Sequence, residues 1–430
     1  MCTCESRINQ KDWYGEKKYR LADFFDSWWD TYLESPAEYV KPEQLKAVNA
    51  IRVCRTAALG IDVYACPDCG EITNVYHSCK NRFCPTCSWQ DTVRWAEDVK
   101  WKMLDTHHRH IVCTLPHSLN GLIKRNGLNQ DALLSILMRT AADTFKDWFW
   151  NKYGLKIGII SVLHTYGEKK DFHCHVHMIV SWAGIDPETG KLKIIEDGYV
   201  NYKFFQKKFR CKFEDELIGL FDKNELAHDF RDRQEFMQFV KSINKNNWNI
   251  HLEPPMDTPE QVIRYIGRYS KRACLSEYKI TNIEGEYITF SYKDNKDRDE
   301  NKKPIEKELC LHYREFFPRL LQHVPLPNFK IVRYYGLYSN KGLIPEEYRY
   351  KEGSEKKHGE TSWGELQEEK TGKNPLYCKE CGCEKEYIYT IVDLRLRDNR
   401  REKFNSNKHR HMIFKRKRKR KRNNYEKRAA

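Results

Sequence analysis

The chain has 430 residues, 40% hydrophobic and 32% charged, enough for roughly two to four domains and a sizeable core. Residues 1–20 are polar and charged and no 18-residue uncharged stretch occurs, which argues against a signal peptide and a transmembrane helix and sets the expectation of a cytoplasmic protein. Its 76 Lys and Arg against 61 Asp and Glu give a formal charge of +15, which favours a polyanionic partner through field steering and counterion release.

Apolar spacing predicts two N-terminal helices, near Tyr19–Leu33 and Pro42–Ala58, the second opened by its proline. Residues 64–87 are turn-rich and cysteine-rich, and a helix is expected at Trp89–Leu104. A mixed α/β region follows. It has a strand at His110–Leu115, an amphipathic helix at Asp131–Trp150, and two apolar runs, Ile157–Thr165 and Phe172–Ser181, that read as a hairpin. Further strands are expected at Asn249–Leu252, Tyr287–Tyr292 and Ile331–Tyr338, with helices at Thr258–Arg272 and Glu308–His323. Beyond about residue 350 the composition turns polar. The run Lys415–Arg422 puts eight like charges in a row, so that tail is expected to be disordered. No internal repeat is evident.

Many of the 16 cysteines, six of them, fall in paired Cys-x-x-Cys units, which in a cytosolic chain points to zinc rather than disulfides. Cys66-Pro-Asp-Cys69 and Cys84-Pro-Thr-Cys87 are two such knuckles, and together they can complete a tetrahedron of thiolates around one structural zinc. His77 and Cys79 lie between them as possible extra ligands. Lys80 and Arg82 flank them as candidate phosphate contacts. Cys378, Cys381 and Cys383 make half a zinc site with no obvious mate, and partly exposed loop thiols explain them equally well.

His173, His175 and His177 alternate at the start of a strand and so share one face. Three imidazoles this close are more comfortable as neutral metal ligands than as cations. A hairpin centred near Glu168–Lys169 sets His164 across from His173 and close to His175. The expected set for a divalent ion is therefore His175, His177 and His164, with His173 as the alternative third ligand. Farther on, Tyr265 and Tyr269 stand at i and i+4 among Arg264, Arg268, Lys271 and Arg272. A Tyr-x-x-x-Tyr pair alone is usually packing. Cations around it would favour the phenolate and hold a phosphate.

In order along the chain, several segments together resemble the insertion-sequence ninety-one family of HUH transposases, which move by a rolling-circle route. These segments are CPDCG…HSCKNRFCPTC, HIVCTLPHSL, HTYGEKKDFHCHVHMIV, PEQVIRYIGRYSKR and FPRLLQHVPLPNFKIVRYYGLYSN, which span about residues 45–340. The resemblance makes His175-Val176-His177 the His-hydrophobe-His element and PEQVIRYIGRYSKR the catalytic tyrosine helix. It implies an α+β fold: an N-terminal helical and zinc-binding module, then an RRM-like core with an antiparallel sheet. The expected divisions are 1–60 helical, 61–105 zinc-binding, 106–345 catalytic, 346–410 polar and 411–430 a basic tail. It also implies that Tyr265 or Tyr269 attacks a DNA phosphate with the help of Mg²⁺ or Mn²⁺, leaving a 5′-phosphotyrosine and a free 3′-hydroxyl. The partners would be single-stranded DNA at the element ends and target DNA, in a nucleoid-associated bacterial setting. A plasmid replication initiator or relaxase shares this chemistry. A zinc-containing nucleic-acid-binding protein without catalysis is the remaining alternative.

Overall fold

A computed structural model describes residues 19–35, 39–196, 201–245, 248–256, 258–259, 261–262, 273–351, 363–393 and 411–414. Contacts divide the chain into two compact units. One holds Asn49–Lys80 and the residues from Thr361 onward; the other holds Tyr19–Val48 and Asn81–Glu360. This division differs from the expected linear one, since residues 61–80 go with the C-terminal region and 81–105 with the core. Among the described residues, no helix is long and apolar enough to cross a membrane.

In chain order the first elements are helix α1 (Leu21–Leu33), helix α2 (Pro42–Arg52), the hairpin strands β1 (Ile61–Ala65) and β2 (Ile72–Tyr76), and helix α3 (Pro85–Lys100). Strand β3 (His108–Thr114), a short helix α4 (Asn120–Lys124) and the long helix α5 (Gly127–Tyr153) come next. Asn126 caps α5 by accepting from the Asn129 amide, and Gly154 closes it in the left-handed conformation at φ 69°. Strands β4 (Gly158–Tyr166) and β5 (Phe172–Ser181) form the expected hairpin, followed by a small one of β6 (Ala183–Ile185) and β7 (Leu192–Ile194).

Helices α6 (Tyr202–Asp222) and α7 (Arg233–Asn244) occupy a stretch for which no element was expected. In α6, Phe205, Phe209, Phe213 and Leu217 recur every four residues and are all buried, but dense lysines and arginines between them conceal the stripe. Strands β8 (Asn249–Met256), β9 (Ile280–Glu284), β10 (Tyr287–Arg298) and β11 (Pro304–His312), helix α8 (Tyr313–Leu321) and strand β12 (Val332–Gly336) complete this unit. The helix expected over Glu308–His323 begins only at Tyr313. His312 is its N-cap, accepting from the Arg314 amide, and Glu308–His312 pair with β10 as strand. Helix α1 packs its aromatic face on α8, with Phe25 stacked on Phe317 at 5.1 Å.

The centre of the larger unit is a five-stranded sheet in the order β12-β4-β5-β3-β8, antiparallel throughout. One face carries Ile111, Cys113, Ile159, Leu163, Cys174, Val176 and Met178 against α5 and α6. The opposite face carries Ile160, Val162 and Ile179, which pack with Trp95 and Val99 of α3, with Tyr338, and with Val262. This α+β arrangement of helices and antiparallel sheet is the expected fold class.

His108 anchors the second face. It is fully buried; its Nδ1–H donates to the Thr106 carbonyl at 2.8 Å, and its Nε2 accepts from the Tyr338 hydroxyl at 2.6 Å. Burial drives its pKa down to about 3. A depressed pKa stabilises the fold fully above the unfolded value near 6.5 and less as pH falls from there toward 3. The slope is about 1.4 kcal/mol per pH unit for one such group. Denaturant unfolding of His108→Gln between pH 6 and 4.5 should therefore depend on pH less steeply than wild type, by about one bound proton. Parallel curves would mean that His108 does not titrate on unfolding.

The smaller unit contains the β1–β2 hairpin, with β13 (Glu386–Asp393) antiparallel on the other edge of β1 and β14 (His411–Phe414) beyond it. Ile61 faces Ile391, Val63 faces Tyr389 and Ala65 faces Glu386.

Candidate active site and metal centres

Strand alternation places His175 and His177 on the second face of the large sheet, and β4 adds His164 beside them. His164 stands directly opposite His175, not opposite His173 as a hairpin centred at Glu168–Lys169 predicts. The register shifts between His164 and Tyr166, where the Thr165 hydroxyl meets His323 Nδ1 at 3.1 Å, and a turn over Gly167–Asp171 closes the hairpin. His323 Nε2–H in turn donates to the Lys170 carbonyl at 3.0 Å, holding that turn against α8's C-terminal end.

His164, His175 and His177 each offer a ring nitrogen, and these nitrogens lie within 4.8 Å of one another. Their protonation suits a metal. Burial, then the neighbouring His173, lowers His175 to about 4. Burial, then His164, His175 and His110, holds His177 well below its ordinary value. All the named shifts leave neutral imidazoles near pH 7. His175 Nδ1–H donates to the His173 carbonyl at 3.0 Å, which leaves the Nε2 lone pair for a ligand. Three imidazole nitrogens from two strands fit a divalent ion with coordination positions left for substrate oxygens.

His173 turns elsewhere: its Nδ1 lies 3.1 Å from His117 Nε2, in an exposed pair outside the three-histidine group. His117 belongs to the LPH segment, and Asn120 fixes that segment by donating to the Phe172 carbonyl at 2.8 Å.

Sequence reasoning missed His110. It is buried on β3, its Nε2 lies 2.9 Å from His177 Nδ1, and the two rings stack with 5.1 Å between centroids. A histidine bonded through Nδ1 presents Nε2 in a fixed direction, so His110 positions His177. The signal was present in the sequence: in His108-Arg-His110 both histidines share the strand parity that faces the metal side. His110→Ala should weaken Mn²⁺ binding about 10- to 100-fold by calorimetric titration. Unchanged affinity would reduce His110 to packing.

Arg264, Tyr265, Arg268, Tyr269, Lys271 and Arg272 lie outside the described residues. Just before them, Thr258, Pro259, Gln261 and Val262 are described. The Thr258 hydroxyl accepts from the Gln261 amide at 3.3 Å, and Val262 is fully buried with Ile160, Val162 and Ile179 on the histidine face. Arg82 is exposed and donates through Nη1 to the Phe329 carbonyl at 3.1 Å, while Lys80 is exposed at φ 52°.

In the smaller unit, Cys66 and Cys69 meet Cys378 and Cys381, with all four sulfurs within 4.8 Å of one another. The expected set joined Cys66 and Cys69 to Cys84 and Cys87 instead. Pairing of β13 with β1 brings the C-terminal cysteines to the first knuckle, so Cys84 and Cys87 are not needed to close it. Cys84 is the N-cap residue of α3 and Cys87 lies in its first turn, both buried. Backbone N–H groups of Cys69 and Asp68 point at Cys66 and outweigh burial, lowering its thiol to about 7. His77 is not available as a ligand: its Nε2 faces Asp62 at 3.0 Å and its Nδ1 faces the Leu59 carbonyl at 3.1 Å. Cys79 is half-buried just beyond β2. Cys383 donates to Asp68 at 2.8 Å.

Residues 158–343 match a family model described as "Putative transposase", and residues 24–115 match one described as "Transposase zinc-binding domain" of the IS91 type. "Putative transposase y4qJ" of Sinorhizobium fredii (strain NBRC 101917 / NGR234) is 30% identical over 329 residues, covering 75% of this chain and 80% of the relative. "Transposase for insertion sequence element IS801" of Pseudomonas savastanoi pv. phaseolicola is 27% identical over 310 residues, covering 69% and 71%. No solved structure matches. The zinc-binding match and the cysteine clusters together support structural zinc. With the histidine site on an antiparallel sheet, a cysteine-rich zinc-binding module and relatives aligned over most of its length, the chain belongs to the IS91-type transposases, and DNA is its substrate.

Proposed function

We propose that this transposase cleaves and rejoins single-stranded DNA by tyrosine attack on a phosphodiester, in rolling-circle transposition of an insertion sequence. The observation that carries the reading is the shared sheet face. Three histidine nitrogens within 4.8 Å of one another lie there, and so does Val262, only three residues before Tyr265. Val262, the last described residue before the tyrosines, therefore lies on the metal side of the sheet.

The chemistry follows from that neighbourhood. The Tyr265 or Tyr269 oxygen bonds to phosphorus, the bond from phosphorus to the 3′-oxygen breaks, the phenolic proton leaves to solvent, and the leaving 3′-oxygen takes up a proton from solvent. The products are a 5′-phosphotyrosine and a 3′-hydroxyl, which can later attack that linkage and restore the strand. A Mg²⁺ or Mn²⁺ held by His164, His175 and His177 would polarise the phosphate and draw charge from the leaving oxygen. His110 fixes His177, and the Nδ1–H bond to its own strand fixes His175. Beside the tyrosines in the sequence, Arg264, Arg268, Lys271 and Arg272 would offset phosphate charge.

The test uses purified full-length protein, labelled single-stranded DNA carrying an element end, and a denaturing gel. With Mg²⁺ or Mn²⁺ a covalent protein–DNA band is expected, and with EDTA none. Binding without any adduct under all conditions would favour a non-catalytic nucleic-acid-binding protein.

A further inference from the structure

We infer that Cys66, Cys69, Cys378 and Cys381 hold a single zinc ion that ties the C-terminal segment to the β1–β2 hairpin. Both matched family segments end before Cys378, so neither covers the second half of this ligand set.

The two knuckles are built alike. Each reads Cys-x-x-Cys-Gly: Cys66-Pro-Asp-Cys69-Gly70 and Cys378-Lys-Glu-Cys381-Gly382. Gly70 and Gly382 both adopt φ 76°, a left-handed conformation that costs glycine little. The Gly70 amide donates to the Cys66 carbonyl at 3.0 Å, and the Gly382 amide to the Cys378 carbonyl at 3.1 Å. Each turn therefore aims its two sulfurs in the same direction.

The sulfur spacing fits one tetrahedral ion. Cys66 and Cys381 sulfurs are 3.3 Å apart, Cys69 and Cys378 sulfurs 3.4 Å, and Cys69 and Cys381 sulfurs 4.0 Å. A zinc–sulfur bond of about 2.3 Å in a tetrahedron requires sulfurs about 3.8 Å apart. Loop thiols with no common ligand have no reason to converge from opposite ends of the chain.

The surroundings hold the same two segments together. Glu71 Oε2 accepts from the Lys379 amide at 3.3 Å and from the Lys385 ammonium at 3.0 Å. The Lys385 side chain is 0% exposed and also donates to the Thr73 hydroxyl at 2.6 Å. A buried cation suits a site whose four thiolates and one Zn²⁺ carry net negative charge. A closed four-thiolate site has no open position, so its role is to build the unit.

The test measures zinc per chain by mass spectrometry on full-length protein, dialysed against a mild chelator. Cys66→Ser/Cys69→Ser and Cys378→Ser/Cys381→Ser should each lose about one equivalent, and the quadruple variant should lose no more than either pair. Full zinc content in Cys378→Ser/Cys381→Ser, or twice the loss in the quadruple variant, would overturn the shared site. Cys381→His guards against misfolding as the explanation. It should retain the metal but shift the cobalt-substituted absorption spectrum from that of four sulfurs toward that of three sulfurs and one nitrogen. An unchanged spectrum would show that Cys381 is not a ligand.

Discussion

Tyr265→Phe/Tyr269→Phe will bind the element end as wild type does and will form no covalent adduct, with cleavage down on the order of 10⁴-fold. The change removes two hydroxyl oxygens and little else, so a smaller defect means that another nucleophile, such as water, does the cutting. Of the single variants, a complete block in one and retained cleavage in the other would assign the first attack. Retained cleavage in both would make the tyrosines interchangeable. Cleavage at the wild-type level by the double variant would exclude tyrosine chemistry in this segment altogether.

His175→Ala and His177→Ala should each lower Mn²⁺-dependent cleavage about 10³-fold, with partial recovery at raised metal concentration. His164→Ala should behave the same way, because its nitrogen lies in the same group within 4.8 Å. His173→Ala should stay within about threefold of wild type, since His173 leans toward His117. The comparison of His164 with His173 is the decisive one. A severe defect at His173 beside a mild one at His164 would require a different ligand set from the one the hairpin register favours. Loss at all four positions without recovery at high metal would point to a folding defect, which the His108 unfolding series can separate.

Local pattern made much of this legible in the sequence. Alternation put His173, His175 and His177 on one strand face, and apolar runs gave the β4–β5 hairpin that carries them. Register was harder, because one shifted position near Thr165 decides whether His164 meets His173 or His175, and Thr165 bonds there to a side chain 158 residues away. Glu308–His312 read as helix because charge and apolar residues there suit either period, and only pairing with β10 decides for strand. Cys378 had no visible mate because its partner Cys69 lies 309 residues earlier, and two-residue spacings say nothing about contacts that distant. His110 was hidden for a different reason: an orienting residue touches a ligand, not the metal, and has no spacing rule of its own.

The order in which the chain is synthesised gives the discontinuous unit a peculiar history. Strand β1 and the Cys66–Cys69 turn leave the ribosome early, while β13 and the Cys378–Cys381 turn follow some 300 residues later, Cys381 standing 312 positions beyond Cys69. At about 5–20 residues per second this interval is roughly fifteen seconds to a minute, long enough for the catalytic region between them to fold first. Throughout that interval the hairpin has one edge uncovered and two thiols without their partners. A copy of the element interrupted anywhere in the intervening reading frame would leave that state permanent, with a bare strand edge open to aggregation and proteolysis. Completion of the smaller unit therefore reports that translation has passed through the entire catalytic region.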